Sequence, residues 1–489
     1  MNNKKIQQKF KKRNMEKRPA GRQAGMIIVQ TIVFATVVVI IISALSSWTA
    51  TTVKAGRIAF NREQALQSAE AGIDYYRWHL AHSPTDYQDG TGGAGPYIHP
   101  LKDKSGNTVG QFSLDITPPP IGSTVVKIKS TGLSSLDPTY LRKIESRVAK
   151  PSIAKYSVVG NNAMRFGSGT EIFGPVHVNG GIRFDGLAHN IVTSGATTYT
   201  DSDSDACTGN SWGVHTCLGT DDPPPPTAFP SRPDVFEAGR LISQPVIAFS
   251  SFTTDLAILQ ANAIANGFYR DVAGVGFVGY HIVLKTNDTF DLYKINNWAS
   301  LGNCSGTASS WSIGTQTLQG NYSFPTNGVI FIEDHVVIDG QINGARLTVT
   351  AADLPAPSDP VNYKNIIINN DLSYTYYDST DSIGLIGQGA IMVGMISEDN
   401  LKIDAALIAQ NDRVGRFYYT GSSCVYKNRS IISLYGMIAS YARYGFAYTN
   451  GTGYTTRNIV YDANLLYAPP PNFPLTSSQY NILSWQEVK

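Results

Sequence analysis

The chain has 489 residues, a formal net charge of +2, 45 Gly, 26 Tyr and 4 Cys. That length leaves room for two or three domains, and the absence of any Cys-x-x-Cys pair or clustered His excludes a zinc-finger type of site. The near-neutral total hides an asymmetry: residues 1–25 carry nine Lys or Arg and one Glu, or +8, which leaves −6 for the remainder.

No charged residue occurs between Arg22 and Lys54. The apolar run Met26–Trp48 has the length of about 20 residues that a helix needs to cross a bilayer core. It is rich in Ile and Val, has no Pro, and ends on Trp48, an interfacial residue type. A secretory signal peptide is a poor fit, because the run is too long and no small-residue cleavage site follows. The basic flank fixes itself on the cytoplasmic side and sends the rest across. It does not point to nucleic acid, since topology explains the charge and no nucleic-acid fold motif follows.

The helix continues past the span. Leu66, Ala69, Ile73, Tyr76 and Leu80 recur at three- and four-residue spacing and share one stripe. Pro84 is the stop signal, with His79 and His82 in the last turn. One helix of about 57 residues over 26–83 is expected, half lipid-soluble and half soluble.

These residues carry a resemblance. A basic leader ending in Gly25, an immediate apolar run and a continuous amphipathic half resemble a type IV prepilin. Gln64-Ala65-Leu66-Gln67-Ser68-Ala69-Glu70-Ala71-Gly72 is similar to the Ala-Glu-Ala-Gly motif of PilX-type minor pilins. The resemblance implies cleavage by prepilin peptidase between Gly25 and Met26, N-methylation of Met26, and packing against other pilins. The chain departs from the major-pilin pattern at the fifth mature position, where Gln30 stands in place of Glu.

Residues 84–107 read as a loop. Gly90–Gly95 matches a dinucleotide fingerprint in letters only, because no strand precedes it and Pro96 follows. Residues 108–150 read as a small antiparallel β region on the helix, so that the second unit spans 84–150. Phe112, Leu114 and Ile116 alternate with polar residues, as do Val126 and Ile128, and a third strand covers about 140–149.

Pro151 marks a boundary to a third unit, 151–489. Short apolar pieces separated by Gly and Asn occur at 172–186 and 329–350, and again around Ile366, Leu385 and Leu407. They predict a parallel β-helix (β-solenoid), with a β-sandwich as the alternative and no strict period to decide it. The fold class is thus α+β, mainly β. Asn327–Ala351, Ile403–Gln410, Leu434–Gly436 and Tyr461-Asp462 with Pro469–Pro471 resemble an uncharacterised bacterial surface domain found fused to PilX-type N-termini. Insertions are expected at about 195–234 and at 251–267, the latter a helix with Leu256, Leu259, Ala263 and Ile264 on one face.

In a translocated region the cysteines can pair. Cys207–Cys217 closes a short loop and is preferred, leaving Cys304–Cys424. Asp201, Asp203 and Asp205 alternate as calcium ligands can, although an EF-hand would need Gly and Glu where Ala206 and Trp212 stand. No other cofactor is expected. No hydrolase motif is present; Asp334, Asp339, Glu398 and Asp404 are the carboxylates a glycosidase could draw on. The expected function is a non-enzymatic minor pilin-like protein at a pilus tip, its N-terminus cytoplasmic and its β region on the cell surface. The expected partners are prepilin peptidase, other pilins, the membrane and a surface glycan or protein ligand. A membrane-anchored polysaccharide enzyme and a type II secretion pseudopilin are the alternatives.

Overall fold

The computed structural model describes residues 23–120, 123–203, 207, 209–249, 251–477 and 479–488. Most of the basic leader, and Asp205 of the proposed calcium run, lie outside them.

Helix α1 runs unbroken from Gln23 to His82, 60 residues, or about 90 Å. Every residue from Met26 to Arg57 is exposed. Thr31, Thr36 and Thr49 turn their hydroxyls onto the carbonyls one turn back, so these three hydroxyls are satisfied within the helix. The second half is covered. Ala65, Ala69, Ile73, Tyr76 and Leu80 are buried, and Leu66 only partly.

The cover is an antiparallel sheet. Its strands are β1 (Tyr97–Lys102), β2 (Thr108–Thr117), β3 (Val126–Ser134) and β4 (Leu141–Ala149), joined in that order. Phe112, Leu114, Val126, Ile128, Ile144 and Val148 face the helix stripe. Two findings correct the sequence reading. Residues 84–107 are not all loop, because Tyr97–Lys102 pairs with β2, His99 opposite Phe112. Pro100 disguises this strand, yet an edge strand tolerates a missing N–H. The fifth strand of the sheet is Asn481–Val488, from the far end of the chain, antiparallel to β4. The boundary at 151 therefore does not assign every later residue to the third unit.

After Ala149 most strands pair in parallel. In one ladder Val329–Ile332 pairs with Arg346–Ala351, then Ser382–Gly387, then Asn400–Ala409, then Asn428–Ser440. It continues from Ile438 to Val158, Val176, Val192 and Arg240. At its other end Phe268–Arg270 pairs with Val329–Ile332. A second ladder joins Val336–Gln341, Ile366–Ile367, Ile391–Val393 and Val414–Arg416. A third joins Asn428–Ser440, Gly453–Tyr461, Thr170–Ile172 and Leu187–Ala188. The chain is α+β: a long apolar N-terminal helix followed by mainly β structure with many parallel strands.

Stacking order and chain order differ. The chain enters the first ladder in its middle at Val158, runs outward to Arg240, crosses to the opposite end at Phe268, and returns to the middle at Ile438. The crossing contains helix α2 (Ser251–Asn266). Leu256, Leu259 and Ala263 of α2 are buried with Val159, Val329, Phe331, Ile386, Ile408 and Ala439. This explains why Val329–Ile332 is buried on both faces, as parallel strands with two covered faces are. Ile264, expected on the packed face of α2, is instead exposed.

Candidate functional site

The first functional region is the apolar half of α1. Its span is long and apolar enough to cross a membrane, and none of it is buried within the protein. Met26, Ile27 and Phe34 are 68%, 62% and 73% exposed. A continuous apolar surface of this extent needs lipid or other helices around it. Gly25 and Met26 are already inside the helix, and Gln30 lies on its exposed surface.

Where α1 packs on the sheet, the fit is set by small residues. A Cβ on Gly72 would strike Ser130 and Phe112, and one on Gly132 would strike the backbone of Ala65 and Ala69. The Ala69-Glu70-Ala71-Gly72 segment therefore lets β2 and β3 approach the helix closely.

The cysteines form two disulfides, Cys207–Cys217 and Cys304–Cys424. The second is buried with Met395 and Tyr419 and joins two loops 120 residues apart.

Of the acidic run, Asp201 faces Arg183 at 3.5 Å and His215 at 3.4 Å. Asp203 accepts from Arg165 at 2.9 Å and from both terminal nitrogens of Arg443 at 2.6 and 2.7 Å. Those hydrogen bonds, Arg443 foremost, hold the Asp203 carboxyl down at about 2. To bind calcium, Asp203 would have to release two guanidiniums.

Of the four carboxylates singled out for hydrolysis, Asp339 and Glu398 lie near enough to repel one another, while Asp334 and Asp404 are each held by other groups. Asp334 accepts from the Ala273 amide. Asp339 accepts from His281 and Asn370. Asp404 is fully buried and takes Tyr377, the Tyr374 amide and Lys402. Burial raises the Glu398 carboxyl, with Asp371 and Asp339 adding repulsion. The tyrosines of 435–467 mostly pack inward: Tyr435 donates to Asp462, and Tyr454 bonds Ser397 and the Glu398 carbonyl.

Sequence reasoning missed one group. Arg165, Arg413, Arg443 and Arg457 line a single cavity of about 640 Å³. They come from distant parts of the chain, and no local spacing connects them; the pairings of Gly453–Tyr461 with Thr170–Ile172 and of Ile438 with Val158 bring those parts together.

No family model matches the chain, and no curated protein matches it. Among solved structures, the competence-associated pilin ComZ from Thermus thermophilus is similar over 88% of this chain and 97% of its own, at 12% identity and a TM-score of 0.28. A likeness that weak carries no argument about fold or function.

Proposed function

We propose that this chain is a minor-pilin-like structural protein. Prepilin peptidase cuts it between Gly25 and Met26, the apolar half of α1 sits first in the membrane and then in a filament core, and the parallel β region, read as a β-solenoid, is displayed outside. The observation that carries the reading is α1 itself: one unbroken helix, bare and apolar in its first half and packed on an antiparallel sheet in its second.

Gln30 gives the reading its place in the filament. In a bundle of such helices the Met26 amine enters an apolar core, where an unpaired charge costs several kcal/mol. A fifth-position Glu on an incoming subunit would neutralise the amine already there; Gln30 cannot. A first subunit has none ahead of it and loses nothing. The size of the β region agrees, since it would crowd a shaft. This favours the tip, in adhesion or assembly priming.

The test is to label the β region with gold and to compare the native chain with Gln30→Glu. Native label at filament ends, with variant label along the shaft or assembly lost, is expected. Native label spread evenly, or absent from filaments, overturns the tip assignment.

A further inference from the structure

The cavity lined by Arg165, Arg413, Arg443 and Arg457 has an unusual charge balance. Four arginines line it against one carboxylate, Asp203. Asp203 is held by Arg165 and Arg443. Among the described residues, the Arg413 side chain makes one hydrogen bond, to the Tyr448 hydroxyl at 3.4 Å, and its charge also acts on the neighbouring Asp412 carboxyl. Arg457 is 7% exposed and donates to Thr170 and to the carbonyls of Ser168, Tyr454 and Thr455. Among the described residues, neither Arg413 nor Arg457 forms an ion pair with a carboxylate. Behind the wall, Arg416 is fully buried and donates to the carbonyls of Met395, Tyr426 and Lys427. Burial pulls it down to about 10 without neutralising it at pH 7. Cations set in a low-dielectric wall focus positive potential into the space they enclose.

The lining beside Arg413 is aromatic and hydroxylated. Tyr448, packed edge-on against Tyr418 at 4.8 Å, supplies an aromatic wall, and Thr449 and Thr455 supply hydroxyls.

We propose that this cavity binds a carboxylate-bearing saccharide, with Arg413 on a carboxylate and Tyr448 against a sugar face. Guanidinium forks match carboxylates in two-point geometry. The volume suits one or a few sugar rings. A single nucleic-acid strand would ask for a groove with successive stacking platforms; here the guanidiniums converge on one cavity.

The binding is independent of where the chain sits in a filament, so failure of the tip assignment leaves it standing. Full chain in detergent micelles is titrated calorimetrically with tri-galacturonate, with neutral tri-galactose, with inorganic phosphate and with a short oligonucleotide at one ionic strength. The acidic trisaccharide is expected to bind at least about tenfold more tightly than the neutral one, with neither phosphate nor oligonucleotide displacing it. Arg413→Gln, which gives up one long hydrogen bond to Tyr448, is expected to melt like the native chain and to bind about tenfold more weakly. If Arg413→Gln folds poorly, Arg413→Lys decides instead: it keeps the charge, removes the two-point fork, and should weaken binding without lowering the melting temperature. Equal affinity for acidic and neutral sugars, displacement by phosphate or oligonucleotide, or native affinity in the deciding variant overturns the proposal.

Discussion

Gly132 of β3 lies so close to Ala69 of α1 that no side chain fits between them. A Cβ there would overlap the amide nitrogen of Ala69 and the carbonyl of Ala65. Backbone cannot yield as a side-chain end can, so the contact fixes the distance between helix and sheet. Gly132→Ala is expected to destabilise the helix–sheet unit by about 1–3 kcal/mol, the range of overpacking. Gly56→Ala is the control. Nothing lies within 4 Å of a Cβ at Gly56, and Ala in a helix interior gains about 0.5–1 kcal/mol over Gly. Thermal unfolding in detergent checks both; equal melting of the two variants would sink the close-approach argument.

Much of this unit was legible in the sequence because its periods are local. The stripe from Ala69 to Leu80 and the alternation of Phe112 and Leu114 each lie within one element. What was hidden was non-local. Pro100 concealed β1 because its edge position is a tertiary fact, and Asn481–Val488 pairs with a strand more than 300 residues away in sequence. The absence of a strict repeat in the parallel region has a physical cause too. Rungs adjacent in space, such as Ile438 and Val158, are distant in the chain, so the sequence cannot display the stacking period in order. The arginine cavity was invisible for the same reason.

The two disulfides should differ in weight. Cys304–Cys424 closes 120 residues and is buried, whereas Cys207–Cys217 closes 10. A longer closed loop restricts the unfolded chain more. The double variant Cys304→Ala, Cys424→Ala should lose about 2–4 kcal/mol, and the corresponding change at Cys207 and Cys217 less. Denaturant titration of the β region is the measurement, and the reverse order would count against the loop argument.

Acid should weaken the parallel region through His335. Burial pulls this imidazole down to about 4, with Lys364 adding to the shift and Asp334 opposing it. The geometry agrees: Nδ1 accepts from the Asn365 amide at 3.0 Å, which only the unprotonated nitrogen can do. Between pH 6.5 and about 4 the unfolded chain binds a proton that the folded chain refuses, so stability falls as pH falls through that window. The loss is on the order of 2 kcal/mol by pH 4.5. His335→Gln should flatten the slope of melting temperature against pH over this interval. An unchanged slope would place the acid sensitivity elsewhere, with His177 and His215, both lowered by burial, next in line.

The C-terminal strand should act on the small sheet and leave the parallel stack alone. Asn481–Val488 pairs along β4 from Ala149 to Lys143, and Arg142 holds Glu487 with two nitrogens. Tyr480, just before it, is buried against the α1 core and donates to the Pro84 carbonyl at 2.9 Å. A chain ending at Tyr480 therefore keeps that anchor and loses only the strand. Without it, β4 becomes an open edge, with backbone groups of Leu141–Ala149 turned to water. Amide exchange across Leu141–Ala149 should then speed up at least about tenfold, while Val329–Ile332 and Ser382–Gly387, whose ladder never touches the strand, keep their protection. Faster exchange in the parallel ladders as well would mean that the C-terminal strand supports the whole β region rather than the small antiparallel sheet alone.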